Sequence, residues 1–571
     1  LEMEPIVIGH INAFELKGVV SRSGSMKLLL WKNALRPLTL SVNDLVMTGP
    51  VCGIIVRNAA VKLIAWEGSV FLCPGGLGLE ACTFDSARVS MTDVVSVTSS
   101  PSTMIRVVDC HIDQTGIAVR GLVATLKTST HDPGVRAAVR VTSTVVSASA
   151  FYFADMNVMI QTSASWPDHD NYAIAFDGAG TIASTTIDIS NSSLLPRWNG
   201  MARTPALLFS HCNDTMIRIS DTTLGMACRI SGHVPVFSVS NVVMDTPDDG
   251  FVLMGPSTAA VAFIRVLSFV DVRIRQSVNA LRIERVTFVG PILFRGCDFK
   301  TVTSIVVIRE SFFAKTDLRV IGTSLDVATF GRGDVRCDII SLELCTSGTP
   351  FPVAPSPVAA PSAVAAGSGG KFMLFFESSR ITLVNQPNWQ SSTVSSLLYG
   401  GLPKMDPSML SISNMSIINT TLSGGAQMAI SPSLDNVSSP PIRVGQFVLD
   451  HVQMFAGRNV RTLSDYLGAW QPATDVLFRC VQFQSRIVTA TMAFPTPSAN
   501  LALWDAPECS VCQILLDCMP QNTVSVIGNW SEGSCVCTCI KDRYFRPPRC
   551  EPVPSRTASV SATLIKFSRT A

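Results

Sequence analysis

The chain has 571 residues, 44 Lys plus Arg against 42 Asp plus Glu, and a formal net charge of +2. Charged residues make up only 15% and apolar residues 47%, with a mean hydropathy of +0.35. This excludes a disordered chain. With no long Lys/Arg run, it also excludes a nucleic-acid binder that works by neutralising phosphates.

The chain opens on Leu1-Glu2-Met3-Glu4, without the charged-then-apolar pattern of a signal peptide, so the expectation is a processed or truncated start. Val, Ile, Thr, Ser and Phe abound, Tyr is scarce, and no sustained helical stripe is visible. These residue types predict an all-β fold with strands buried on one face. From Leu40 onward one eight-residue phrase recurs: apolar, any, apolar, any, turn-former, small or apolar, any, apolar. It reads Leu40–Met47, Leu77–Phe84, Ile105–Ile112, Val139–Val146 and Phe151–Val158. Through the middle it continues as Ile187–Leu194, Ile217–Leu224, Phe237–Met244, Leu267–Ile274, Leu281–Phe288, Ile292–Phe299 and Val306–Phe313. After an interruption it returns as Leu374–Ile381, Leu410–Ile417, Phe447–Met454 and Val476–Phe483.

Positions one and three share a face because strand side chains alternate. Position five is mostly Asp, Asn, Ser or Gly, which tolerate a left-handed backbone or cap a turn. Positions six and eight resume the inward face after the bend. A strand, a tight bend and a strand sharing one interior describe the corner of a β-solenoid coil. Leu267 to Ile292 and Leu281 to Val306 are each 25 residues apart, two interleaved series of one period, while Leu77 to Ile105 spans 28 and Ile187 to Ile217 spans 30. About 20 coils stacked at roughly 4.8 Å make a rod of about 90–100 Å. A pair of β-sandwiches would also have short strands and turns, but has no reason to repeat one strand-bend-strand phrase.

Along that solenoid, residues 1–345 are assigned to its first part and 371–500 to its continuation. Residues 346–370, rich in Pro, Ala, Ser and Gly, form an inserted loop. Cys82, Cys110 and Cys297 all occupy position six and are expected to point inward at one corner as small buried hydrophobes. Residues 501–552 carry seven cysteines in 42 residues (Cys509, Cys512, Cys518, Cys535, Cys537, Cys539 and Cys550). They predict a disulfide-stapled module from an oxidising compartment, a zinc site being disfavoured by the lack of any later His. Residues 553–571 repeat Ser-Arg-Thr-Ala and read as a Ser/Thr-rich stalk that stops mid-repeat. Six Asn-x-Ser/Thr sequons, at Asn191, Asn213, Asn414, Asn419, Asn436 and Asn529, are glycosylation candidates, with Asn191 and Asn414 at the turn position. They add to the expectation of a secreted or surface protein.

Candidate chemistry is sparse. Asp245, Asp248 and Asp249 form an acidic loop cluster that could supply a general acid and base if suitably spaced, but Asp-Pro-Gly clusters mostly form turns. Arg332-Gly333-Asp334 is an integrin-type tripeptide, also common in turns. No catalytic residue, cofactor or metal site is assigned.

In its repeats, its Cys535-Val-Cys-Thr-Cys539 tail running through Tyr544 to Cys550, and its Ser-Arg-Thr-Ala stalk, the chain resembles kinetoplastid cell-surface proteins. These are the dispersed gene family of trypanosomes and related membrane-associated proteins of free-living kinetoplastids. The resemblance implies a right-handed parallel β-helix of the pectate-lyase type, held at the cell surface by a membrane anchor outside this sequence. It carries over no active site. The resulting expectation is a non-enzymatic ectodomain for adhesion to surface glycans or proteins. The alternative is a polysaccharide lyase or glycoside hydrolase on the same fold, which charged side chains converging on one sheet face would favour.

Overall fold

The computed structural model describes residues 37–483 except 49–51, 74, 99–102, 129–135, 163–170, 198–204, 257–261, 328–337, 348–370, 384–395, 402–410, 425–426, 431–442 and 456–474; on either side it describes individual strands. Among the described residues the regular structure is all strand. The chain is a parallel β-helix. It divides into two units, residues 1–290 with 309–311, and residues 291–308 with 312–571. The division lies inside the stretch assigned above to the first part of the solenoid.

In unit 1, each coil contributes strands to three long parallel ladders and a short fourth. The first ladder stacks Gly116–Arg120, Ala150–Ala154, Thr186–Ser190, Met216–Ser220, Val236–Ser240 and Val266–Val270 in unbroken register. The second follows it around a corner through Val123–Thr128, Asn157–Thr162, Ser193–Arg197, Thr223–Leu224 and Val243–Asp245. The third runs from Leu77–Glu80 through Thr103–Val108, Arg136–Thr142, Asn171–Asp177, Leu207–Asn213 and Cys228–Gly232 to Phe251–Met254.

The phrase marks two corners of the coil, not one. Its position five takes a left-handed backbone at Asp44, Asp155, Asn191, Asp221, Asn241 and Asp271 between the first and second ladders. It does so again at Ala81, Asp109 and Ser143 between the third and fourth. At Asp44, Asp155, Asn191, Asp221, Asn241, Ala81, Asp109 and Ser143 the N–H donates to the carbonyl ending the corresponding strand of the next coil, as from Asn191 to Ser220 and from Asp221 to Ser240.

At several corners the position-six N–H is met by a buried side chain of the next coil. Cys110 N–H donates to Thr144 Oγ1 (3.3 Å), and Met156 N–H to Ser192 Oγ (3.2 Å). Each hydroxyl in turn donates to the carbonyl two residues back in its own coil. This explains why Thr, Ser and Cys recur there although the site is buried. Inside the coil, Phe237, Phe251 and Phe269 pack edge to face with centroids 5.3–5.9 Å apart.

Unit 2 repeats the scheme. Ile292–Arg295, Lys315–Ile321, Lys371–Glu377, Ser411–Ile418, Arg443–Asp450 and Asp475–Arg479 pair in succession. Lys315–Ile321 pairs directly with Lys371–Glu377, so strands from the two sides of the Pro/Ala-rich stretch are neighbours. Residues 348–370 lie outside the described residues.

Two expectations are corrected. Cys82 and Cys110 do share a corner, where Cys82 N–H donates to Cys110 Sγ. Cys297 belongs to the other kind of corner, stacked on Thr323, because both corners carry the same phrase. All three are buried thiols outside any disulfide. Asn414 is not a turn residue. It lies inside Ser411–Ile418, next to a register shift opposite Phe372/Met373, and Asn419 takes the left-handed corner instead.

Cys73 and Cys480, not singled out from sequence, are each disulfide-bonded. In the cysteine-rich segment the backbone of Thr523–Asn529 pairs antiparallel with Ser534–Cys539. The proposed disulfide module is otherwise not borne out here: the side chains of Cys509, Cys512, Cys518, Cys535, Cys537, Cys539 and Cys550 lie outside the described residues, as do Arg332–Asp334 and the stalk.

Candidate functional site

The outward positions of the ladders of unit 1 sort into a closed and an open polar surface. The third ladder carries the closed one. Arg140 grips Asp177 through Nη2 (2.8 Å) and Nε (3.0 Å), and Thr142 Oγ1 donates to Asp177 Oδ1 (2.7 Å). Two coils back, Glu80 sits between Arg57 and Arg106.

The sequence-predicted acidic cluster joins this surface in part. Asp249 Oδ1 accepts from Asn279 Nδ2 (2.7 Å) and Asp249 Oδ2 from Arg282 Nη1 (3.4 Å). The same guanidinium donates through Nε and Nη2 to Glu284 Oε1. Burial works against the charge on Arg282, but Glu284 and Asp249 more than offset it and hold the guanidinium above its ordinary value. The backbone of Asp248 is held in the turn: its N–H donates to Thr246 Oγ1 and its carbonyl accepts from Val278. Asp245 is exposed at the end of Val243–Asp245. Of the three predicted carboxylates, Asp249 reaches this charged cluster. Asn279, Arg282 and Glu284 were not foreseen, though Arg282 and Glu284 sit at positions two and four of the Leu281 phrase, the outward alternates. Among the described residues, no group of three or more His, Cys, Asp or Glu is placed to hold a metal ion.

The first ladder carries the open surface. One outward row reads Ala118, Tyr152, Asp188, Arg218, Ser238 and Ser268, each in register with the next. The row beside it contains Ser190, Ser220 and Ser240. Tyr152 is 44% exposed. Arg218 Nη1 lies 3.8 Å from Asp188 Oδ1, too long for a hydrogen bond, and that occluded oxygen accepts none. Burial pushes the Asp188 carboxyl above its ordinary value, against the pull of Arg218.

At the adjoining corner, Asn191, Asp221, Thr222, Thr223, Asn241 and Val243 line an open cleft of about 430 Å3. Asn191 Nδ2 donates to Asp155 Oδ1 (2.6 Å) and Asn241 Nδ2 to Asp221 Oδ1 (2.8 Å). Of the sequons, Asn191 and Asn213 are exposed and Asn414 and Asn419 half-buried. Asn436 and the side chain of Asn529 lie outside the described residues.

The raised Asp188 carboxyl has a stability consequence. Between its unfolded and folded pKa values the folded chain binds more protons than the unfolded one, so stability falls as pH rises through that window. Asp188→Asn is expected to melt higher than the parent at pH 7. Below the ordinary carboxylate pKa the difference should vanish. Melting curves at pH 3.5 and 7 check this, and equal Tm values at pH 7 would contradict it.

No protein-family model matches the chain, and no curated protein matches it. Among solved structures, tailspike protein 3 of bacteriophage CBA120 is similar at 8% sequence identity and a TM-score of 0.21. The similarity covers 84% of this chain and 57% of that one. The chain thus spans little more than half the length of that structure.

Proposed function

We propose that this protein is a non-enzymatic, cell-surface β-helical ectodomain that binds glycans on its outward strand faces. The observation that carries the reading is the open polar surface of the first ladder. There, Tyr152, Asp188, Arg218, Ser238 and Ser268 stack in register at about the strand spacing of 4.8 Å, with Ser190, Ser220 and Ser240 in the next row, beside a polar cleft lined by Asn191 and Asn241. A polysaccharide is itself a periodic array of donors and acceptors, and such a surface can meet it over several coils. Disulfide-bonded Cys73 and Cys480 and the exposed sequon asparagines fit an oxidising, extracellular setting.

A second reading has its own observation: Asp249 and Glu284 converge on Arg282, as a polysaccharide lyase or glycoside hydrolase would require of paired carboxylates. The closed hydrogen bonding favours a structural ion-pair network, since these groups already satisfy one another.

The experiment that separates the two is incubation of the purified protein with a panel of immobilised neutral and acidic polysaccharides, reading both retention and release of reducing or unsaturated ends. Retention without product is expected. Product formation that Asp249→Asn abolishes would replace binding by catalysis, and failure to retain any polysaccharide would overturn the glycan reading.

A further inference from the structure

Tyr152, Asp188 and Arg218 come from three successive coils and face outward at directly paired positions of the first ladder. Tyr152 is one of few large apolar side chains left exposed among the described residues, and the neighbouring positions in its strand, Ala150 and Ala154, are small. The Asp188 side chain is 28% exposed although its Oδ1 is occluded, which leaves Oδ2 as the oxygen open to a ligand. The Arg218 side chain is 55% exposed, and among the described residues its ion pair is the long contact to Asp188, so most of its donors are uncommitted. An aromatic face, a carboxylate acceptor and a guanidinium donor thus lie side by side on an open sheet.

We propose that Tyr152, Asp188 and Arg218 form a subsite for one neutral sugar ring, with the aromatic ring of Tyr152 against the apolar C–H face of the ring and Asp188 and Arg218 hydrogen-bonding its hydroxyls. This rests on the glycan reading above and deepens it. A vicinal diol offers both a donor to Asp188 Oδ2 and an acceptor to Arg218. A uronate does not fit as well, because its carboxylate would meet Asp188 across the same ring and an unpaired anion beside a half-buried carboxylate is costly. Ser190, Ser220 and Ser240 in the next row extend the polar surface towards the corner cleft.

The test is calorimetric titration of the intact chain with neutral β-glucan and galactan oligosaccharides and with oligogalacturonate. Tyr152→Ala, Tyr152→Phe, Asp188→Asn and Arg218→Met are compared, each checked to melt cooperatively and no lower than the parent. The parent is expected to bind a neutral oligosaccharide at least tenfold more tightly than oligogalacturonate. Tyr152→Ala and Asp188→Asn should each weaken that binding tenfold or more, and Tyr152→Phe by less than threefold. A parent that binds neutral sugars with all four variants unaffected overturns this subsite while leaving the broader glycan reading intact. Tighter binding of oligogalacturonate overturns the neutral-sugar assignment. A parent that binds none of the ligands overturns the subsite, and the polysaccharide panel then decides the broader reading separately.

Discussion

Replacing Phe251 by alanine should destabilise unit 1 by about 3–5 kcal/mol. The ring is fully buried and packs against Phe237 at 5.8 Å and Phe269 at 5.3 Å, both themselves buried. Removing it deletes the transfer free energy of a phenyl group and leaves a cavity that the rigid strands on either side cannot close. Because a solenoid transmits stability only to adjacent coils, the loss should be local. Hydrogen exchange is therefore the sharper measurement: amides in Phe251–Met254 and in the paired Cys228–Gly232 should lose protection, while those near Val61 and Ile64 keep theirs. Uniform loss throughout unit 1, or a shift under 1 kcal/mol in urea unfolding, would contradict this account.

Thr115→Val is the second large effect, expected at about 1–3 kcal/mol although the two side chains have nearly the same shape. Thr115 is 1% exposed. Its Oγ1 accepts the N–H of Ala87 (3.3 Å) and donates to the carbonyl of Asp113 (2.8 Å). Valine leaves the Ala87 N–H buried without its acceptor at a corner where no strand carbonyl replaces it. Thr115→Ser keeps the hydroxyl and should cost less than half as much. Urea midpoints of the two variants decide the matter. If serine and valine are equally destabilising, the methyl group rather than the hydrogen bond holds the corner.

These two residues illustrate what the primary structure disclosed. Phe251 and Thr115 stand outside the recurring phrase, yet the phrase itself located most corners, since a left-handed backbone selects Asp, Asn, Ser and Gly so strongly. The selection is not absolute. Arg285, Glu310, His451 and Cys480 adopt the same backbone, recognisable only because the flanking apolar positions fix them. At Asn414 the pattern misled, because a register shift next to it let a second alignment match equally well. Cys297 was grouped with Cys82 and Cys110 for a related reason, the two kinds of corner being alike in local sequence.

The candidate sites were less legible. Asp249 belongs to a local acidic run, whereas its partner Arg282 is more than thirty residues away. Tyr152, Asp188 and Arg218 looked unrelated along the chain. All three occupy position two of successive phrases, however, so stacking the phrases one above another would have set them in one column. The phrase was read for what it buries, and the positions marked as unconstrained were those that face a ligand.

The unequal coil lengths have a use beyond architecture. Only two residues separate the first ladder from the second in every coil from Arg120/Val123 to Val270/Arg273. Between the second ladder and the third the gap is three residues from Leu224 to Cys228, seven from Thr128 to Arg136 and eight from Thr162 to Asn171. Length is thus admitted at one address on each coil and refused at the other. A peptide epitope grafted between Leu224 and Cys228 should therefore leave the surrounding register intact, which makes the fold a ruler along which foreign segments can be displayed at chosen intervals.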